Sequence, residues 1–262
     1  MPRISSYPVV LNSNSYAIVQ IGSANYKVEL SDLLGSAIAS PVSTGAYVDD
    51  CLHDFTGMIS SGFHIYPWMA SNIGVGQITS IQSIENHPGI ARITQNGSNT
   101  GASIWLGNNS NILLAGEEEA EFIIKILTPI SAIVSYMGFA DNMAVTGNPT
   151  DAAIVHIDTS LGFQGRCFNA GVNTNTATTY IPSLNTWYRV KIVVNSNASR
   201  VDFYIYDESG NLLWTDNVQS NIPTAAGREL SHGIKMYKTS AGIVDLLDID
   251  YISFFCPRVL TR

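Results

Sequence analysis

Charged side chains are scarce in this sequence: 13 Lys and Arg and 21 Asp and Glu make up 13% of its 262 residues, roughly half the usual share. The few cationic residues are scattered singly and the net charge is −8. A nucleic-acid partner would lack the basic stripe that neutralises phosphates, and none is expected. No apolar run reaches the roughly 18 residues that cross a bilayer. The opening Met1-Pro2-Arg3-Ile4-Ser5-Ser6 has no apolar signal core, so neither a membrane partner nor signal-directed secretion is expected.

Cysteine is equally sparse. Cys51, Cys167 and Cys256 have none of the paired spacings of zinc or redox sites. The five histidines, His53, His64, His87, His156 and His232, contain no i, i+4 pair of the kind that holds a metal on a helix. No serine sits in a nucleophile elbow, so acyl transfer is unsupported. No cofactor is expected. Heptads, internal repeats and ordinary amphipathic helices are also missing, which excludes coiled-coil stalks and solenoids.

What the sequence does contain is short segments of β character. Tyr16–Ile21 and Tyr26–Leu30 flank the turn Gly22-Ser23-Ala24-Asn25 and predict a hairpin. Ser31 can cap a short helix through Asp32, Leu33 and Leu34 that Gly35 ends. The small residues from Ser36 to Gly45 have the composition of a linker. The expected organisation is an appendage over residues 1–45 and one domain over 46–262.

In that domain, Gly89–Thr94, Ala102–Leu106, Ala120–Leu127, Ala132–Phe139, Ala152–Ile157, Gly162–Phe168, Thr186–Val194, Val201–Asp207, Asn211–Asn217 and Val244–Phe255 read as strands. Gln95-Asn96-Gly97-Ser98 and Asp207-Glu208-Ser209-Gly210-Asn211 read as hairpin turns, the second with Gly210 left-handed. His87, before Pro88, is placed in a turn, and His156 on a strand as a core or face residue. The prediction is an all-β protein, an antiparallel β-sandwich with a short N-terminal hairpin-plus-helix appendage. Its polar, weakly charged surface suits work outside cells. Without a signal segment, lysis that releases an assembled virus is a route there.

The order of several segments resembles the concanavalin-like jelly-roll domains of bacteriophage tail and other virion proteins. The resemblance runs through Phe122-Ile123-Ile124-Lys125-Ile126, Gly138-Phe139-Ala140-Asp141-Asn142 and Asn185-Thr186-Trp187-Tyr188-Arg189-Val190-Lys191-Ile192. It continues through Val201-Asp202-Phe203-Tyr204-Ile205, Asn221-Ile222-Pro223, Gly227-Arg228-Glu229-Leu230 and Leu247-Asp248-Ile249-Asp250-Tyr251-Ile252. Upstream, Asn86-His87-Pro88-Gly89-Ile90-Ala91-Arg92-Ile93 looks like the strand entry of the same proteins. Ala17–Gly22 and Tyr26–Leu34 are similar to the starts of tail-fibre proteins, which join a fibre to the particle.

The resemblance implies a non-enzymatic structural protein at the surface of a phage particle, as tail fibre, spike or capsid decoration. Its implied partners are other virion proteins, gripped through Val19, Ile21, Tyr26, Val28, Leu33 and Leu34, with homotrimeric assembly. A host-surface glycan is the implied ligand.

Three constellations compete for a chemical role. Glu117, Glu119 and Glu121 would share one face of a strand, as the carboxylates of sandwich glycosidases do; the alternative is a solvated acidic edge that discourages strand pairing. Tyr66 and Trp68, with Trp105 behind them, are the candidates for stacking on sugar rings. Trp187 is assigned to the core. Asp141, Asn142 and Asp151 offer the oxygen ligands that calcium requires. For the cysteines, three buried thiols or a Cys51–Cys256 bridge between neighbouring first and last strands both fit.

Overall fold

The computed structural model describes residues 16–21, 24–29, 46–48, 51–54, 64–65, 68–82, 84, 86–87, 89–106, 112–128, 133–143, 147–158, 160–238 and 244–259, with side chains from residue 69 onward except at 133, 158, 258 and 259. The chain divides into two compact units, Met1–Ala46 with Val259–Arg262, and Tyr47–Arg258. In the first, β1 (Tyr16–Ile21) and β2 (Ala24–Glu29) pair antiparallel. Their register sets Val19 opposite Tyr26, Val28 opposite Ala17 and Ile21 opposite Ala24. Leu33, Leu34 and the helix predicted around them lie outside the described residues.

After β3 (Ala46–Val48), the chain forms β4 (Cys51–Asp54), β5 (His64–Ile65), β6 (Trp68–Ile73), β7 (Gln77–Ile81), β8 (Ile90–Gln95) and β9 (Gly101–Trp105). Next come β10 (Glu119–Ile126), β11 (Ile133–Ala140), β12 (Ala152–Asp158), β13 (Gly162–Asn169) and β14 (Val172–Asn175). The last six are β15 (Trp187–Val194), β16 (Val201–Asp207), β17 (Leu212–Val218), β18 (Ser231–Lys238), β19 (Asp245–Phe255) and β20 (Pro257–Val259). No described residue is helical.

Two antiparallel sheets make the sandwich. The first runs β17-β16-β15-β10-β19-β8-β7. β4 continues along β19 where β8 stops, because β8 pairs with Asp245–Ile249 and β4 with Tyr251–Phe254. The second runs β14-β13-β12-β11-β18-β9-β6-β5. The two-residue period of a strand sends alternate side chains inward. Phe122 and Ile124 of β10, Val190 and Ile192 of β15, Phe139 of β11 and Ile234 of β18 thus meet in one core. This is the predicted sandwich, with most of its strand bounds within a residue or two of expectation. Strands β3 to β7, β14, β18 and β20 are additional; several are short, and β18 alternates His232, Ile234 and Met236 inward with Lys235 and Tyr237 outward, which is not an apolar/polar pattern.

Several expectations change. Gln95–Ser98 does not close a hairpin, because β8 and β9 lie in opposite sheets and the turn carries the chain across the sandwich. Asp207–Asn211 does close one, and Gly210 is left-handed at φ 82°. Glu119 and Glu121 are not on an edge. β10 runs between β15 and β19, where Glu119 pairs with Lys191 at 2.6 Å and Glu121 with Arg189 at 2.7 Å. Glu117 precedes the strand in a left-handed conformation, φ 69°. Trp187 is buried but not in the core. Strand parity sets it on the outer face beside Arg189, where His87 stacks on its ring at 3.9 Å and the Lys125 ammonium lies 4.5 Å from its centroid. Cys51 faces Phe254 in the register of β4 and β19, and Cys167 is a buried thiol whose ionisation burial pushes up.

Among the polar groups buried inside the sandwich are His232 and the pair Lys238 and Asp245. His232, on the inward face of β18, is fully buried among Phe122, Phe139 and Phe254, with ring centroids 5.0–5.4 Å away. Lys238 at the end of β18 and Asp245 at the start of β19 join the two sheets through a 2.6 Å ion pair with side chains 1% and 0% exposed.

Candidate functional site

The outer face of the second sheet carries a polar row set by strand register. Ser71 of β6 lies opposite Ser103 of β9, Ser103 opposite Lys235 of β18, and Lys235 opposite Tyr136 of β11. Tyr136 then faces His156 of β12, and His156 faces Gln164 of β13. Because all six are direct cross-strand partners, their side chains project from the same face. A sheet face of this kind could be wholly apolar or wholly solvated; this one is neither. Around the row, Trp105, Tyr136, Ala152, Ile154, Phe168 and Tyr237 form a second hydrophobic cluster distinct from the core.

The loop between β11 and β12 covers the middle of the row. Met143 from the loop is buried in the cluster. The Lys235 ammonium donates to the backbone carbonyls of Asn142 and of Gly147, the second at 3.1 Å. Tyr136 Oη donates to Asn148 Oδ1 at 2.5 Å. Burial lowers Lys235 to about 8, partly opposed by the Asp141 carboxylate, and raises the Tyr136 phenol. Both shifts follow from removing the charged form from water. Lys235 therefore fastens the loop to the sheet.

Toward β14 the face opens. Arg166, next to Gln164 on β13, lies opposite Asn175, and Phe168 opposite Asn173. Arg166 Nε donates to Gln164 Oε1 at 2.9 Å, and Asn173 Nδ2 to Asn175 Oδ1 at 2.9 Å. Arg166 is half-buried, while Asn173 and Asn175 are exposed. A guanidinium and amide groups converge here beside buried Phe168, giving donors and acceptors next to an apolar surface. Hydroxyl-rich ligands are recognised by this combination.

The predicted site residues are dispersed. Trp105 is only 4% exposed and lies over Gly233, where a Cβ would meet Ile104 O at 2.3 Å and Trp105 Cβ at 2.7 Å. It forms part of the floor rather than an open platform. Trp68 belongs to β6, its side chain outside the described residues, and Tyr66 lies outside them altogether. Asp141 Oδ1 accepts Thr150 N–H at 3.0 Å, and Asp151 Oδ1 accepts Ala170 N–H at 2.9 Å and an Arg228 guanidinium N–H at 2.5 Å. Asn142 Nδ2 turns back to Asn148 O at 3.4 Å. Those oxygens organise the loop between β11 and β12. Among the described residues no three His, Cys, Asp or Glu side chains converge as a metal requires.

Sequence reading missed Gln164, Arg166, Asn173, Asn175 and Lys235. The i, i+2 placement of Gln164 and Arg166 in Gly162–Asn169 was the available signal. It becomes specific only once register joins it to Asn175 on one side and to His156 on the other.

Solved structures share this architecture. The protein of unknown function SO2946 from Shewanella oneidensis MR-1 superposes with a TM-score of 0.69 at 21% identity, covering 89% of this chain and 95% of that one. Peanut lectin follows at 0.56 and 10%, covering 83% and 100%. The exoplasmic/lumenal domain of VIP36, in its Ca2+/Man3GlcNAc-bound form, reaches 0.52 at 12%, covering 77% and 87%. At such identities the likeness is one of fold, and the fold is the lectin-like jelly roll. No curated protein matches the sequence. The model of the SO2946-like C-terminal domain matches residues 86–250, well over half of the chain, and the chain belongs to that family.

Proposed function

We propose that this protein is a non-enzymatic attachment module that recognises a host-surface glycan on the open end of its second sheet. The observation that carries the reading is the convergence of Gln164, Arg166, Asn173 and Asn175 beside Phe168 at that end. The lectin-like fold supports it. Glu119 and Glu121, the enzymatic candidates, are neutralised by Lys191 and Arg189 in the ladder, which favours binding over general acid–base work. Trp68 adjoins Met69, the cross-strand partner of Trp105, and is the aromatic candidate at the far end of the same sheet, with Tyr66 two residues before it.

A bacteriophage particle is the proposed location, with the hairpin of Val19, Ile21, Tyr26 and Val28 and the following Leu33 and Leu34 gripping other virion proteins. The support for this is the sequence resemblance described above. A homotrimer would multiply weak single sites through avidity. Light scattering is expected to give three copies, and a monomer would count against that assembly.

Binding to an array of bacterial surface glycans tests the recognition. Arg166→Ala removes a charged donor, whose hydrogen bonds contribute about 1.5–3 kcal/mol each, so affinity is expected to fall more than about tenfold with the fold intact. Unchanged binding by Arg166→Ala and Asn175→Ala would move the site elsewhere. Electron cryo-microscopy of intact particles tests the location: density at the tail tip or across the capsid supports it, and absence of the protein from particles sinks it.

A further inference from the structure

The opposite face of the sandwich holds a second built site that the glycan reading does not use. The turn Ile84–His87 is closed by two backbone hydrogen bonds, 3.1 and 3.0 Å, and Asn86 turns left-handed at φ 67° to make it. The turn sets His87 on the outer face of the first sheet, stacked on Trp187. Below it, a bulge in β19 skips Asp250 in the register with β10, since Ile123 pairs with Tyr251 and Ile124 with Ile249. A bulge re-aims a side chain. Here Asp250 Oδ2 accepts the His87 Nδ1–H at 2.8 Å.

That bond decides the tautomer. A carboxylate can only accept, so Nδ1 carries the proton and neutral His87 presents a lone pair at Nε2. Nε2 makes no hydrogen bond although His87 is only 4% exposed. Glu208 Oε1, on the β16–β17 turn, lies 3.5 Å from Nε2. When His87 is neutral, Nε2 and the Glu208 carboxylate are thus two acceptors facing each other. Both line a cavity of about 320 Å³, together with Ile123 and Trp187.

The charge of the lining selects the donor. Three carboxylates, Asp207, Glu208 and Asp250, stand against the single guanidinium of Arg189, which is already bonded to Glu121 at 2.7 Å. A hydroxyl would satisfy the acceptors but leave that charge uncompensated; an ammonium does both.

We propose that this cavity binds a primary ammonium group carried by a small organic ligand, with Glu208 as counter-ion and His87 Nε2 as a second acceptor. Ile123, half-buried on the same outer face, takes the ligand's carbon skeleton. Glu208 is 57% exposed in its side chain, so Glu208→Gln removes the charge without touching the core.

The test is an NMR titration of the isotope-labelled full chain with ethanolammonium and, separately, with its uncharged analogue ethylene glycol. Ethanolammonium is expected to shift the Trp187 indole and the Ser209 and Gly210 amides saturably. Ethylene glycol should not, and Glu208→Gln should weaken the response at least tenfold. Arg166→Ala, on the other face, should leave it unchanged, which separates this site from the glycan site. Equal responses to the two probes, no saturable shift, or full retention in Glu208→Gln would each overturn the proposal.

Discussion

His232→Leu is expected to abolish a large part of this protein's sensitivity to acid. Complete burial lowers the His232 imidazole to about 3, from 6.5 for an exposed histidine. The folded chain therefore holds it neutral where the unfolded chain takes up a proton. The contribution is fully present above about pH 6.5 and is lost as pH falls toward 3, because the unfolded state then binds more protons. At about 1.4 kcal/mol per pH unit, the loss across that window is on the order of 5 kcal/mol. Leucine fills a similar apolar space among Phe122, Phe139 and Phe254 without a titrating group. Urea midpoints at pH 7.5 and 4.5 measure the effect. Wild type should lose on the order of 3 kcal/mol more than the variant between them; every carboxylate is common to both, so parallel pH profiles would refute the assignment.

Breaking the Lys238–Asp245 pair should cost as much without any change of pH. Both partners are shut away from water at the point where β18 and β19 join the two sheets. Removing either one strands the other charge in the interior, at about 3–5 kcal/mol. Lys238→Met and Asp245→Leu should each be severely destabilised in thermal unfolding. The double replacement substitutes two apolar groups for two charges, and should recover most of that loss because neither desolvation penalty remains. A double variant whose loss equals the sum of the singles would show that the pair does not act as a unit.

These two groups also mark where sequence reading stops. His232 and Lys238 sit six residues apart in a segment whose sequence does not read as a strand, and nothing local says that either faces inward. Their partners come from β10, β11 and β19, elements brought beside them by the crossing connections of the jelly roll. Trp187 makes the same point in reverse. Its parity with Arg189 and Lys191 already places it on the outer face, while its bulk suggests the core; the conflict disappears once His87 and Lys125, distant in sequence, cover both faces of the ring.

The sequence by itself determined the class of fold. Inward alternation at Phe122, Ile124, Val190, Ile192, Phe203 and Ile205, with Gly210 in its turn, is a local property of the chain, and it specified a two-layer antiparallel sandwich. Only the tertiary structure decided the sites. Arg166 meets Asn175, and His87 meets Asp250 and Glu208, through strand register and a single bulge. A shift of one residue in either strand would turn those side chains to the other face, and no composition or spacing along the chain encodes which register wins.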